Sequence, residues 1–104
     1  MENKIIYSIS LSIRAQKDLQ KSFNWYEDQK VGLGSRFTKE AADLFRTIKQ
    51  NPKLFSIKDK FYREVGMSSF PFLVIYRINR KHAIRIVSVF HTSQNPKKKY
   101  RQAQ

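Results

Sequence analysis

From Ile5 onward the chain alternates, with Tyr7, Ile9 and Leu11 set against Ser8 and Ser10. A period of two marks a half-buried strand, so residues 5–11 are predicted as one. Ser12 follows at a good helix N-cap position. Ala15, Leu19, Phe23 and Tyr26 then recur at helical spacing on one stripe, and Trp25 lies off it. This helix is expected to end near Lys30, before Gly32. A short connector precedes a second helical pattern starting near Ser35, with Phe37, Ala41, Leu44 and Ile48 on one face and Ala42 and Phe45 widening it. Asn51-Pro52 stops that helix, because proline cannot continue it and restricts the residue before it. Two helices with so short a link pair as an antiparallel hairpin.

The second half has a different rhythm. Residues 61–65 read as a strand and Gly66 to Ser69 as a turn. Residues 72–78 are rich in β-branched and aromatic side chains, with Pro71 at the entrance, where a missing N–H is tolerated. Asn79 to His82 form a polar hairpin loop. Residues 83–90 make a last strand, with Ile84, Ile86 and Phe90 expected on one face and Arg85, Val87, Val89 and His91 on the other. The predicted class is α+β: an N-terminal strand, an α-helical hairpin, then a three-stranded antiparallel meander with the helices on one face. Residues 1–104 read as a single domain, with a polar tail from about residue 93.

Charge changes the picture. The chain carries 21 Lys and Arg against 8 Asp and Glu, a net charge of +13. Residues 49–104 hold 13 basic side chains and only two acidic ones, Asp59 and Glu64. Such an excess on a small domain costs self-repulsion that a polyanion or an acidic protein relieves. The chain has no Cys, so a disulfide framework and thiolate metal sites are excluded. Phe70 to Tyr76, the longest apolar run, falls far short of the roughly 20 residues a membrane helix needs. A soluble cytoplasmic protein, with no membrane partner, is the expectation.

Candidate chemistry is confined to the sheet half. His82 and His91 have no second ligand at a metal-binding spacing, and three glycines leave no phosphate loop, so no metal and no cofactor is expected. Asp18, Glu27, Asp28, Glu40 and Asp43 fall on the predicted helices and read as solvated faces. What remains is a basic and aromatic set: Tyr62, Arg63, Tyr76, Arg77, Arg85, His91, Lys97, Lys98, Tyr100 and Arg101. Alternation sends Arg85 and His91 to the same, open face of the last strand. Such a surface attracts phosphates and stacks bases on tyrosine. It also suits metal-free RNA cleavage, with Arg or Lys on a pentacovalent phosphate and His or Tyr moving protons.

The order and spacing of several short motifs resemble the RelE/ParE superfamily of toxins from type II toxin–antitoxin systems, over about residues 5–100. These are Ser12, Ala15 and Leu19 after the first strand, the aromatic pair Trp25-Tyr26, Gly34-Ser35-Arg36-Phe37, and Asn51-Pro52. The later ones are Tyr62-Arg63-Glu64-Val65, the run from Phe70-Pro71-Phe72 to Ile78, and Val87-Ser88-Val89-Phe90-His91. The resemblance implies a growth-inhibiting toxin, of the kind also called plasmid stabilisation proteins, neutralised by a cognate acidic antitoxin. The superfamily divides by target. ParE-like members inhibit DNA gyrase; RelE-like members cut mRNA on the ribosome. The Phe-Pro-Phe lead-in and the strand ending in His91 are similar to the ParE branch. The ribosome-dependent branch carries Gly-Tyr-Arg there, and Leu73 stands where that Arg is expected. Thr92 to Asn95 also interrupt the basic stretch after the last strand.

Gyrase inhibition is therefore the leading expectation, with Tyr62, Arg77, Lys97, Lys98 and Arg101 as binding residues. The alternative is a metal-independent, ribosome-dependent endoribonuclease using Arg63, Arg85, His91 and Tyr100. A third reading is a basic nucleic-acid-binding module without toxicity.

Overall fold

A computed structural model describes residues 5–100; Arg101, a predicted binding residue, lies outside the described residues. Strand β1 (Ser8–Leu11) leads into helices α1 (Ile13–Gln29) and α2 (Leu33–Gln50), followed by strands β2 (Ile57–Asp59), β3 (Tyr62–Gly66), β4 (Phe72–Ile78) and β5 (Ala83–His91). The sheet order is β1-β5-β4-β3-β2. Strands β2 to β5 form an antiparallel meander, and β1 joins β5 in parallel at the far edge. A parallel neighbour requires a crossover, which the helical hairpin supplies. The architecture is the α+β arrangement expected, with one further short strand, β2. All three of its residues are exposed, so it has no burial pattern to read; backbone pairing with β3 alone makes it a strand.

The helix boundaries follow from local chemistry. Ser12 caps α1: its Oγ accepts from the Ala15 N–H at 2.9 Å. Gly32, at φ +90°, turns the chain in a conformation side chains avoid. Glu27, near the end of α1, then accepts from the Gly32 and Gly34 N–H groups at 2.9 and 3.0 Å. It thus satisfies donors that the start of α2 would leave orphaned. Gly34 permits the helices to touch, since a Cβ there would lie 2.7 Å from the Phe23 carbonyl oxygen.

The main core lies between the hairpin and the sheet. Ala15, Phe37, Ala41 and Ile48 meet Phe72, Val74, Tyr76, Ile84, Ile86 and Val89 there. The predicted stripes hold, with Leu19, Tyr26, Leu44 and Phe45 half-buried against this core. Ala42 is exposed rather than part of the stripe. The Tyr76 hydroxyl donates to the Pro52 carbonyl at 2.6 Å and ties the end of the hairpin to the centre of the sheet.

One irregularity reorganises the last strand. Ile75 pairs with Ser88, but the next residue, Tyr76, pairs with Ile86, so β5 carries an extra residue at Val87. A bulge of this kind reverses the alternation beyond it. Val89 consequently joins Ile84 and Ile86 under the helices. Phe90 joins Tyr62, Ile75 and Val87 in a second cluster on the other face. This corrects the expectation that Phe90 packs with Ile84 and Ile86. Asp18 and Ser12 of the α1 segment hold the bulge. One oxygen of Asp18 accepts from the Val89 N–H at 2.9 Å and from the Ser88 hydroxyl at 3.1 Å, and the Ser12 hydroxyl donates to the Val87 carbonyl at 2.9 Å.

Candidate functional site

The bulge decides where the predicted site residues fall. Arg85 lies before it and faces away from the helices, beside its cross-strand neighbour Arg77. His91 lies beyond it and comes round to the helix side. There it packs edge-on against Phe72 at 4.9 Å and lines a cleft with Asp18 and Tyr26. Arg85 and His91 are therefore on opposite faces, against the expectation that they share one. Arg63 is opposite Tyr76 on the helix side, where its guanidinium donates to the Phe55 carbonyl at 2.6 Å. Along β4 the partners of Arg63 and His91 are Tyr76 and Phe72, a separation of about 13 Å at strand rise. The four residues named as a nuclease set do not converge.

The open face holds a different group. Tyr62 stacks on Tyr100 with ring centroids 4.8 Å apart, and the Phe61 ring lies 4.8 Å from that of Tyr62, tilted by 45°. The Arg77 guanidinium sits 4.2 Å over the Phe61 ring, a cation–π contact. Arg85 donates to the Ser10 hydroxyl at 3.0 Å. Glu64 is the organising carboxylate. It accepts from the Tyr100 hydroxyl and pairs with Lys99 at 3.2 Å, and its side chain is only 9 % exposed. The tail folds back to make these contacts. After a short 3-10 turn at Pro96–Lys98, with Lys97 and Lys98 exposed, Arg14 binds the Lys98 and Lys99 carbonyls at 2.8 and 3.3 Å. Tyr100 thereby closes over part of the second cluster.

Titration behaviour follows these surroundings. Burial, then the adjoining Glu64 carboxylate, pushes the Tyr100 phenol well above its ordinary range, so the group stays protonated near neutrality. Burial pushes Tyr76 up to about 12. Burial also raises Asp18, partly offset by its bonds to Val89 and Ser88 and by Arg14 and Lys21. Glu40 is lowered chiefly by the Ser69 N–H that it accepts.

Three acids read as solvated faces thus have structural work: Asp18 holds the bulge, Glu27 caps α2, and Glu40 holds the turn before β4. Asp28 and Asp43 are exposed as expected. Sequence reasoning also passed over Glu64. Its signal was present, since it is one of two acids among 13 cations in residues 49–104. Among the described residues no group of three His, Asp or Glu suits a metal ion, and no helix is long and apolar enough to cross a membrane.

Comparison with known proteins agrees with this architecture. The family described as "ParE toxin of type II toxin-antitoxin system, parDE" matches residues 9–96. Among solved structures, a chain of "Chromosomal ParDE TA system from P. aeruginosa" superimposes with a TM-score of 0.74 at 13 % identity, covering 83 % of this chain and 96 % of that one. Comparison with curated proteins returns no match. The family match spans β1, the hairpin, the whole meander and the start of the turn that leads the tail back over the sheet, and on that extent the chain belongs to the ParE toxin family of type II toxin–antitoxin systems.

Proposed function

We propose that this protein is a growth inhibitor acting in the cytoplasm on DNA gyrase, and that a cognate acidic antitoxin neutralises it by covering the open sheet face. The observation that carries this reading is the pairing of Arg77 directly opposite Arg85. Two guanidinium groups side by side on one face of the sheet suit charge-assisted hydrogen bonds to an anionic segment lying across them. Exposed Lys97 and Lys98 add two further cations in the tail. Interaction rather than cleavage is further supported by the dispersal of Arg63, Arg85 and His91 and by the engagement of the Tyr100 hydroxyl with Glu64.

Purified protein is expected to inhibit gyrase supercoiling, and the acidic antitoxin to relieve that inhibition. Normal supercoiling at saturating protein would rule out gyrase as the target. Arg77→Glu with Arg85→Glu is expected to weaken antitoxin binding by at least about tenfold at low salt, with a shallower salt dependence. Unchanged affinity in a folded double variant would rule out the open face as the antitoxin site.

A further inference from the structure

One end of the sheet gathers cations from β2, β4, β5 and two turns. The register sets Arg77 beside Arg85, and the β2–β3 turn and the β4–β5 loop both close at that end. Lys58, Lys60, Arg77, Arg80, Lys81 and Arg85 therefore collect there, and Asp59 is the one carboxylate that residues 57–61 and 77–85 carry. Lys58, Lys60, Arg80 and Lys81 are exposed. Neither they nor Arg77 make an ion pair with a carboxylate among the described residues. Lys60 keeps its side chain at φ +53°, in the left-handed region where glycine sits at least cost. In the β4–β5 loop the Asn79 side-chain oxygen accepts from the Lys81 and Ala83 N–H groups at 2.9 and 3.0 Å, so the loop is shaped without the side chains of Arg80 and Lys81. The rings nearby are engaged: Tyr62 is 8 % exposed and stacked on Tyr100, and Phe61 lies under the Arg77 guanidinium.

We infer that this end of the sheet binds the phosphate backbone of duplex DNA. From β5 to β2 is three strand spacings, about 15 Å, which matches about four phosphates of one DNA strand. Unpaired lysines and arginines on turns neutralise such a row and release its counterions. With the rings stacked or covered, the unstacked bases of a single strand find little to lie on, so a duplex is favoured. Arg77 and Arg85 are shared with the antitoxin reading above; Lys60, Arg80 and Lys81 are not. The choice of DNA over RNA rests on the gyrase reading. Binding is measured with neither gyrase nor antitoxin present, so the two readings fail separately.

The intact protein is titrated into a fluorescein-labelled DNA duplex, its single strand, a duplex RNA and poly-glutamate, and anisotropy is read over a range of salt. Duplex DNA is expected to bind at least about threefold tighter than each of the other three, because an A-form duplex spaces its phosphates differently and a polypeptide carries no phosphate row. Arg80→Glu with Lys81→Glu is expected to weaken duplex binding by at least about tenfold and to lower the salt slope by about 2. Lys17→Glu with Arg36→Glu makes the same charge change at exposed helix positions, and is expected to weaken it by less than about threefold. Lys60→Gly is expected to weaken it several-fold without lowering the melting temperature, since the backbone there favours glycine. Equal losses in the two double variants would make net charge the cause and overturn the proposal. So would single strand, duplex RNA or poly-glutamate binding as tightly as duplex DNA. Undiminished affinity in Lys60→Gly would also overturn it, and decides the matter alone if the Arg80 and Lys81 double variant does not fold.

Discussion

Asp18 joins the first helix to the irregular point of the last strand, and two neighbouring donors depend on it. With alanine there, the Val89 N–H and the Ser88 hydroxyl lose their acceptor in a largely enclosed place. Asp18→Ala is expected to destabilise the fold by about 1–3 kcal/mol, and Asp18→Asn by less, because an amide oxygen still accepts. Urea midpoints of the three proteins measure this; an alanine variant as stable as the parent would remove Asp18 from its bulge-holding role. Tyr76 is the other residue whose setting has a measurable consequence. Burial raises its phenol from 10.0 to about 12. Below pH 10 the group is protonated folded or unfolded. Between pH 10 and about 12 the unfolded chain releases a proton that the folded one keeps, so stability falls across that window as pH rises. Tyr76→Phe gives up the bond to Pro52 and is expected to lose about 1 kcal/mol near neutrality. It is also expected to decline less steeply than the parent above pH 10, where the missing phenol no longer titrates. Parallel stability curves for the two proteins in alkali would refute this.

At the scale of elements, the helical hairpin and the meander obey different rules. The hairpin depends on close approach at one point. Gly34 within α2 meets the Phe23 carbonyl and ring, at 2.7 and 2.8 Å from where a Cβ would stand. A glycine in a helix normally costs roughly 1 kcal/mol relative to alanine. Here the sign reverses: Gly34→Ala is expected to lose about 1–3 kcal/mol by forcing the helices apart, and a raised melting temperature would contradict the contact. The meander depends on register instead. Residues 72–78 and their neighbours on β5 pair throughout, yet the slip at Val87 divides β5 into two segments of opposite facing. Its first half offers Arg85 to the open side and its second offers His91 to the helix side. Edge strand β2 is short and carries Lys58, which discourages further strand pairing at that edge.

For the whole molecule, the tail is a third layer that covers only part of the sheet. Tyr100 stacks on Tyr62 and binds Glu64, while Arg14 holds the Lys98 and Lys99 carbonyls from the α1 side. Beneath lie Ile75, Val87 and Phe90, each at most 1 % exposed. Truncation after Asn95 is expected to uncover this cluster, to lower the melting temperature by roughly 5–10 °C, and to increase binding of an apolar dye. An unchanged melting temperature would mean that the tail contributes no stability. The same truncation removes Lys97 and Lys98 and leaves Arg77 and Arg85 in place. The charge asymmetry between the two halves of the chain is thus divided between the sheet's open face, the tail, the loops and edges at Lys53, Lys60, Arg80 and Lys81, the end of α2 at Lys49, and Arg63 on the helix side.

Periodicity in the sequence was enough to settle the hairpin, because Ala15, Leu19, Phe37 and Ile48 bury a stripe whose spacing only a helix satisfies. For β4 composition sufficed, a run of β-branched and aromatic side chains; that Phe72, Val74 and Tyr76 take one face is read only from the packing. Net charge likewise needed no coordinates, being a sum over side chains. The placement of the site was not available from the same signal. Alternation counts residues along a strand and cannot detect that one of them is skipped by the partner; the slip at Val87 exists only in the pairing of β5 with β4 and in the bonds from Ser12 and Asp18. Those contacts join positions some 70 residues apart. They alone decide that Arg85 and His91 look in opposite directions, because a strand's facing is set by its neighbours rather than by its own order of residues.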